Sequence, residues 1–483
     1  MNRIPRLDGW RGIAVVLVLI ALCFAAIHTL RSTPAFPLDD GYITLHSAQS
    51  LHAGFDRNYP GVSPLYGATS APFLGLVYLL LFPLPPFIAL DVACWLGVLC
   101  YCLGLLQISR AMRLSTRDSA LLCLLGLTAS YVPYHVLNGL ETSWALAGVA
   151  WTLALASDSS RWWPWAAAAA GTTASIRPDL LPFAVIVVLT LAAKQYRRSG
   201  LSWHVVLLFA VSLLPIALCA AWYLHATGVP FPETGVAKQT FFAETGLPWM
   251  DKTLMESTSF LAFLFSAGFL CMACRQLFRS TLGRGMALFA GIFCLSIYLQ
   301  FPGAMGWNRS RYPVILIPIL IWALADQLRI DHRARRILHL SLIYSLAFAI
   351  VAVNLYVRDC RRYGGGLREV ASWCTRNLPT GSTLLVHDAG YIAYATPFRI
   401  TDMVGLKTPE AITLNRAITL PSAGEQRSVA VSDLARDRRA DYLIVLDGWP
   451  PTLDLVSEMR GLKWKVEPLH TEGIYHVFRL SAP

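Results

Sequence analysis

Apolar positions along the chain neither alternate nor recur at amphipathic spacing. They gather into runs of about 17 to 22 residues, the length that crosses a bilayer as a helix. Such runs lie near 12–30, 87–108, 119–135, 140–157, 163–177, 179–193, 203–224, 257–277, 285–301, 312–328 and 337–356. Lipid offers the backbone no hydrogen-bond partner, so each run is expected to be helical. The run 12–30 is long for a signal peptide and lacks a clear small-residue cleavage site, so it reads as an anchor. The stretch 71–84 is apolar but short and bracketed by prolines, which favours a re-entrant or surface helix.

The pattern changes from residue 357 onward. There, 383–390, 440–448 and 475–480 read as short strands, and 369–378 and 431–439 as helices between them. The expected organisation is a transmembrane domain over 1–356, with a first outer loop at 31–86. A small soluble α/β domain follows over 357–483, joined through Tyr363-Gly364-Gly365-Gly366. No internal repeat is evident.

Composition agrees with this picture: 55% of the 483 residues are hydrophobic and 14% charged, with a formal net charge of +11. That excess does not point to nucleic acid, because the basic residues sit in short clusters between apolar runs. Arg3, Arg6 and Arg11; Arg110, Arg113 and Arg117; Lys194, Arg197 and Arg198; Arg275, Arg279 and Arg284; and Arg329, Arg333, Arg335 and Arg336 mark cytoplasmic loops. Their alternation works if 71–84 lies on the outer surface. It predicts about eleven spans, a cytoplasmic N-terminus and the C-terminal domain on the far side.

Eleven cysteines give no metal framework. Cys271 and Cys274 have no His or second Cys pair near them, and Cys360 and Cys374 are open to pairing or to remaining reduced. The informative residues are polar groups at the outer ends of the apolar runs, because ionisable groups are costly there. Asp39 and Asp40 follow the first run in Leu38-Asp39-Asp40-Gly41-Tyr42-Ile43. Adjacent carboxylates suit a base and its orienting partner, and equally suit a helix N-cap. Arg309 and Arg311, with Lys238, stand where topology calls for no positive charge. They suit an anionic substrate, since guanidinium groups bind phosphate through paired hydrogen bonds, or interfacial anchoring. Glu141, Arg177, Asp179 and Glu233 lie at the same level, Arg177 as a phosphate ligand or as a partner of Asp179 or Glu141. Trp373, Trp449 and Trp464 are candidates for sugar stacking or for core packing. The helix centres hold almost no ionisable side chains, which weighs against a coupled transporter.

Several motifs occur in one order. They are Asp39-Asp40-Gly41-Tyr42-Ile43, Ser47-Ala48-Gln49-Ser50-Leu51-His52-Ala53-Gly54, Thr69-Ser70-Ala71-Pro72, Gly139-Leu140-Glu141-Thr142 and Arg177-Pro178-Asp179. Pro232-Glu233-Thr234-Gly235-Val236-Ala237-Lys238, Arg309-Ser310-Arg311-Tyr312-Pro313 and His387-Asp388-Ala389-Gly390-Tyr391-Ile392-Ala393-Tyr394 complete the series. This order resembles the C-type (GT-C fold) polyprenyl-phosphate-sugar-dependent glycosyltransferases, most of all the terminal β-(1→2) arabinofuranosyltransferases. The family pattern has Asn where Glu233 stands, often a small residue such as Ala at Gly41, and Asn-Pro within Asn58-Tyr59-Pro60-Gly61.

The resemblance implies a multi-pass enzyme of the bacterial inner membrane. It would move a sugar such as arabinofuranose from a polyprenyl-phosphate donor to a periplasmic glycan or exported protein. Asp39 would be the general base, with Asp40 orienting it or touching the sugar. Arg309, Arg311 and Lys238 would hold the donor phosphate. Tyr42, Glu141, Arg177, Asp179, Glu233, His387 and Asp388 would bind substrate or support the site. Two outer helices, near 42–53 and 71–82, would lie over it. No cofactor is required, because basic residues can handle a monophosphate, although paired aspartates can recruit a divalent ion. Two other readings stay open: a lipid-linked glycan transporter, or a non-catalytic membrane scaffold.

Overall fold

A computed structural model of the chain describes residues 29–30, 35–331, 333–447 and 450–483. The expected first span falls almost wholly outside these residues. Among the described residues, seven helical segments are long and apolar enough to cross a membrane: Pro86–Ala111, Pro178–Ser199, Trp203–Thr227, Trp249–Leu277, Thr281–Gln300, Trp307–Ile330 and Ala334–Asn377. The shorter helices Thr116–Thr128, Thr142–Ser157 and Trp163–Ile176 pack among them. Trp203–Thr227 is the most apolar of the seven and the least covered by protein, whereas Trp307–Ile330 is buried along most of its length. A helix apolar on every side and bare of protein has lipid as its natural solvent.

Small residues bring the bundle together. Gly104 of Pro86–Ala111 lies so close to Thr142–Ser157 that an added Cβ would stand 3.0 Å from Ala150 Cβ. Close backbone approach of this kind supplies the packing that drives helix association in lipid. The same helix pair is tied at two levels, where Trp144 and Trp151 donate their indole N–H groups to the Ala93 and Cys100 carbonyls, each at 2.9 Å.

Two helices that precede the span Pro86–Ala111, Asp40–Ala53 and Ala71–Leu80, pack on one another and on the bundle. The second has 10 residues, with Ser70 as its N-cap and a proline in its first turn, so it is too short to span.

The C-terminal domain is a five-stranded sheet in the order β2-β1-β3-β5-β4. Its strands are β1 Thr383–Val386, β2 Arg399–Asp402, β3 Tyr442–Leu446, β4 Lys465–Glu472 and β5 Tyr475–Ser481. Strands β2, β1 and β3 are parallel, and β5 and β4 continue the sheet as an antiparallel hairpin. The last span runs into this domain without a break. Helix Ala334–Asp359 passes through a π-helical turn, Cys360–Gly365, into helix Gly366–Asn377. The glycine run is therefore no extended linker. Gly364 admits the Phe36 carbonyl 2.8 Å from where a Cβ would stand, and Gly366 admits the Tyr475 ring at 3.0 Å. Cys374 is a buried thiol that forms no disulfide with Cys360.

A buried polar network fastens the sheet domain to the segment that precedes Pro86–Ala111. Asp56 accepts the Asn58 and Tyr59 N–H groups, each at 3.0 Å, and its other oxygen lies 3.4 Å from the Lys407 ammonium. Lys407 is fully buried and reaches Ser47 Oγ at 3.3 Å. Asn58 donates to the Thr396 and Phe398 carbonyls and accepts from His46. A buried lysine needs such partners, because an unpaired ammonium would be costly to desolvate.

Candidate functional site

The site is built where the start of helix Asp40–Ala53 meets the sheet domain. Asp39 stands at the helix N-cap position, but its side chain makes no cap bond to its own helix. Its carboxylate instead accepts the Gly390 N–H at 2.6 Å and the Tyr391 N–H at 2.7 Å. Gly390 is required there, since a Cβ would stand 2.9 Å from both Asp39 Oδ2 and the Ile43 nitrogen. Burial and the neighbouring Asp388 and Asp40 carboxylates raise the proton affinity of Asp39, against the two N–H bonds that oppose it.

Asp40 has the opposite setting. Its Oδ2 accepts from Lys238 at 2.9 Å and from Arg311 at 2.8 Å. Burial alone would raise this carboxyl, but the ammonium and guanidinium hold it well below the usual carboxylate range. Two adjacent carboxylates thus have divergent proton affinities, the arrangement that separates a base from an ion-pairing partner.

Arg311 reaches past Asp40 to Glu141 Oε1 at 3.4 Å, with both side chains buried. Arg309 lies 3.3 Å from the buried Asp359, which also accepts the Tyr134 hydroxyl at 3.1 Å. Asn308, Arg309 and Ser310 all have positive φ, at 49°, 61° and 59°. Three such non-glycine residues in succession cost roughly 1 kcal/mol or more each, a strain usually kept only where surrounding structure enforces it. Here His135 does so, donating from Nε2 to the Arg309 carbonyl at 2.8 Å.

These groups surround a cavity of about 520 Å³, lined by Asp39, Asp40, Trp307, Asn308 and Arg309 on the membrane side and by Asp388, Asp447 and Tyr475 on the domain side. A smaller recess of about 50 Å³ adjoins it and reaches Lys238 and His387. Asp388 is fixed from both sides, by His387 Nδ1 at 2.9 Å and by the Tyr475 hydroxyl at 2.8 Å. Among the described residues, no three His, Cys, Asp or Glu side chains converge as a metal-ligand group.

Of the residues singled out from sequence, Asp39, Asp40, Lys238, Arg309, His387 and Asp388 line these spaces. Arg311 and Glu141 stand behind Asp40 as its support. Four others lie apart. The Tyr42 hydroxyl accepts the Phe36 N–H at 2.8 Å in the core, Arg177 forms a two-bond pair with Asp179, and Glu233 accepts the Tyr66 hydroxyl at 2.8 Å. Sequence reasoning missed Tyr134, Asp359, Asp447 and Tyr475, each an ordinary residue that only tertiary contact brings to the cavity. Trp464 is core, donating to Ser432, while Trp373 stacks on His470 at 4.6 Å. Trp449 lies outside the described residues.

A family model described as a domain of unknown function (DUF8728) matches residues 355–478. No curated protein sequence matches the chain. Solved structures are similar over nearly its whole length. The crystal structure of ArnT from Cupriavidus metallidurans bound to undecaprenyl phosphate matches with a TM-score of 0.55 at 12% identity, over 98% of each chain. The Archaeoglobus fulgidus oligosaccharyltransferase, tethered with an acceptor peptide containing the NVT sequon, gives 0.55 at 11%, over 99% of this chain and 74% of its own. Archaeal oligosaccharyltransferase AglB from Archaeoglobus fulgidus, in complex with an inhibitory peptide and a dolichol-phosphate, gives 0.52 at 12%, over 96% and 74%. At these identities the likeness establishes architecture: the chain is a multi-pass α-helical membrane protein of the GT-C fold, carrying a small C-terminal sheet domain.

Proposed function

We propose that the protein is a glycosyltransferase that moves a sugar from a polyprenyl-phosphate donor to an acceptor hydroxyl on the outer face of the inner membrane. The observation that carries this is the divergence between neighbouring aspartates at the mouth of a cavity that also presents Arg309 and Lys238. Asp39 takes the proton of the acceptor hydroxyl. It remains able to do so with both oxygens engaged, because each carboxylate oxygen has a second lone pair. The acceptor oxygen bonds to the anomeric carbon as the bond from that carbon to the phosphate oxygen breaks. The phosphate keeps the electron pair, and Arg309 and Lys238 stabilise its developing charge. Asp40, held by Arg311 and Lys238, orients these cations and meets the sugar. The lipid tail explains why a transferase should be so apolar, and the undecaprenyl phosphate and dolichol-phosphate bound by the structural neighbours support a lipid-linked donor here.

The donor sugar is a pentofuranose such as arabinofuranose, on the motif order from Asp39 to Tyr394. The N-terminus is cytoplasmic and the sheet domain periplasmic, on the distribution of basic loops. The acceptor belongs to the cell envelope. The test is release of polyprenyl phosphate from a synthetic polyprenyl-phosphoryl arabinofuranose by the reconstituted protein supplied with an oligosaccharide acceptor, with the sugar recovered on that acceptor. The wild type should release it and Asp39→Asn should be at least 100-fold slower. Movement of the intact lipid-linked sugar between leaflets, with no release, would replace transfer by transport.

A further inference from the structure

The sheet domain has strands β2, β1 and β3 side by side and parallel, with β1 in the middle. The chain leaves β1 toward β2 on one side, and leaves β3 toward β4 on the other. In open sheets of this kind, the crevice between two strands whose connections diverge is the place where ligands bind, outside the carboxyl ends. Here that crevice lies between β1 and β3. Asp388 follows β1, and Leu446 and Asp447 close β3. Tyr475 opens β5 directly opposite Leu446. All four line the same cavity as Asp39 and Asp40, so the binding end of the sheet is turned onto the reaction centre.

We infer that the crevice between β1 and β3 is the acceptor subsite, and that it takes a neutral carbohydrate. This rests on the transferase reading of the same cavity. Of the cations around the cavity, Arg309 and, in its recess, Lys238 are each paired with a carboxylate, Asp359 and Asp40, and Arg362 stands on the wall, while the sheet end presents the carboxylates of Asp388 and Asp447. A phosphate or a carboxylated ligand is repelled from the sheet end, and the loop after β1, His387-Asp388-Ala389-Gly390, is no glycine-rich phosphate cradle. Sugar hydroxyls suit it, because an ionised carboxylate only accepts hydrogen bonds and each hydroxyl has one to give. Asp388 is held in place beforehand by His387 and Tyr475, and Asp447 lies 2.7 Å from His476 Nε2. Tyr363 also lines the cavity wall, with the Arg362 guanidinium over its ring at 5.8 Å. The subsite thereby sets an acceptor hydroxyl beside Asp39, and selects a glycan over an anionic or peptide acceptor.

The test uses the full-length protein in nanodiscs and saturation-transfer NMR. The probes are an arabinofuranosyl trisaccharide, a mannosyl trisaccharide, a sialylated trisaccharide and an asparagine-containing tripeptide. Decaprenyl phosphate binding is measured separately, and thermal melting checks that Asp447→Asn folds, at a position whose side chain is 48% exposed. The expected result is binding of at least one neutral trisaccharide, at least tenfold weaker in Asp447→Asn, with decaprenyl phosphate affinity unchanged and the sialylated probe excluded. Equal trisaccharide affinity in both proteins, binding of the tripeptide alone, or binding of no neutral trisaccharide would overturn the inference. Asp447-dependent trisaccharide binding without decaprenyl phosphate binding would leave the subsite standing and remove the donor reading.

Discussion

The carboxylate of Asp39 is held by the backbone N–H of Gly390, 351 residues further along the chain. An acidic residue at the start of helix Asp40–Ala53 is thus completed by a loop of the sheet domain. The site belongs to neither part alone. Gly390→Ala should therefore behave like a site variant although alanine has no reactive group. We expect at least a tenfold loss of sugar transfer with the protein still in the membrane, measured as acceptor modified per protein inserted. Activity within twofold of wild type would show that the loop need not sit on Asp39.

The two arginines of the Arg309-Ser310-Arg311 segment should separate. Arg311 is buried between Asp40 and Glu141, so Arg311→Ala leaves Glu141 without its guanidinium and Asp40 with Lys238 alone, and should cost about 3–5 kcal/mol of stability, along with activity. Arg309 is 36% exposed and faces the cavity. Its replacement by alanine should lose activity tenfold or more while costing less stability than Arg311→Ala, because the buried Asp359 keeps the Tyr134 hydroxyl and Arg358 as partners. Thermal melting in detergent beside a transfer assay distinguishes the two.

The network that fastens the sheet domain should give stability an acid-side dependence. Burial, and then the nearby Lys407 ammonium, lower His46 to about 4, against the pull of Asp56. A histidine depressed in the folded state leaves the unfolded chain binding more protons at mildly acid pH. Its contribution is complete above about pH 6.5 and is lost as pH falls toward 4. Comparing melting temperature over this range in wild type and His46→Gln isolates the effect. The wild type should fall more steeply by about 2–3 kcal/mol in total, and parallel curves would refute the assignment.

Lys407 and Asp56 should be strongly coupled. Lys407→Met leaves the Asp56 carboxylate buried without its ammonium, whereas Lys407→Met with Asp56→Asn removes both charges. The double variant should recover at least about 1 kcal/mol relative to the single lysine variant. Additive losses in a double-mutant cycle would mean that the ion pair is incidental.

Much of the bundle was legible because lipid imposes a coarse rule, apolar length, that survives without knowledge of packing. The same rule separates the 10-residue helix Ala71–Leu80 from the spans. The strands β1, β3 and β5 were legible as apolar β-branched runs. Strand β2, Arg-Ile-Thr-Asp, and β4, which carries a proline and a bulge, carry too little pattern to stand out. The glycine run 364–366 stands where the last span enters the sheet domain, and its close approach to Phe36 and Tyr475 was not legible because glycine marks both turns and close packing. At the site, Asp39, Asp40, Lys238 and Arg309 were visible as charges that topology does not explain. Asp359 and Asp447 were not, since nothing local distinguishes a cavity carboxylate from a surface one. Tyr42 and Glu233 sat in suggestive motifs, yet their hydroxyl and carboxylate are spent on Phe36 and Tyr66.

The most direct test of transfer with Asp39 as base is the mass of envelope glycans and exported proteins in cells that carry the wild type or Asp39→Asn, with equal amounts of each in the membrane. The account predicts a pentose increment on one acceptor class with the wild type and its loss with Asp39→Asn. An acceptor modified equally in both would remove Asp39 from the chemistry and contradict the account.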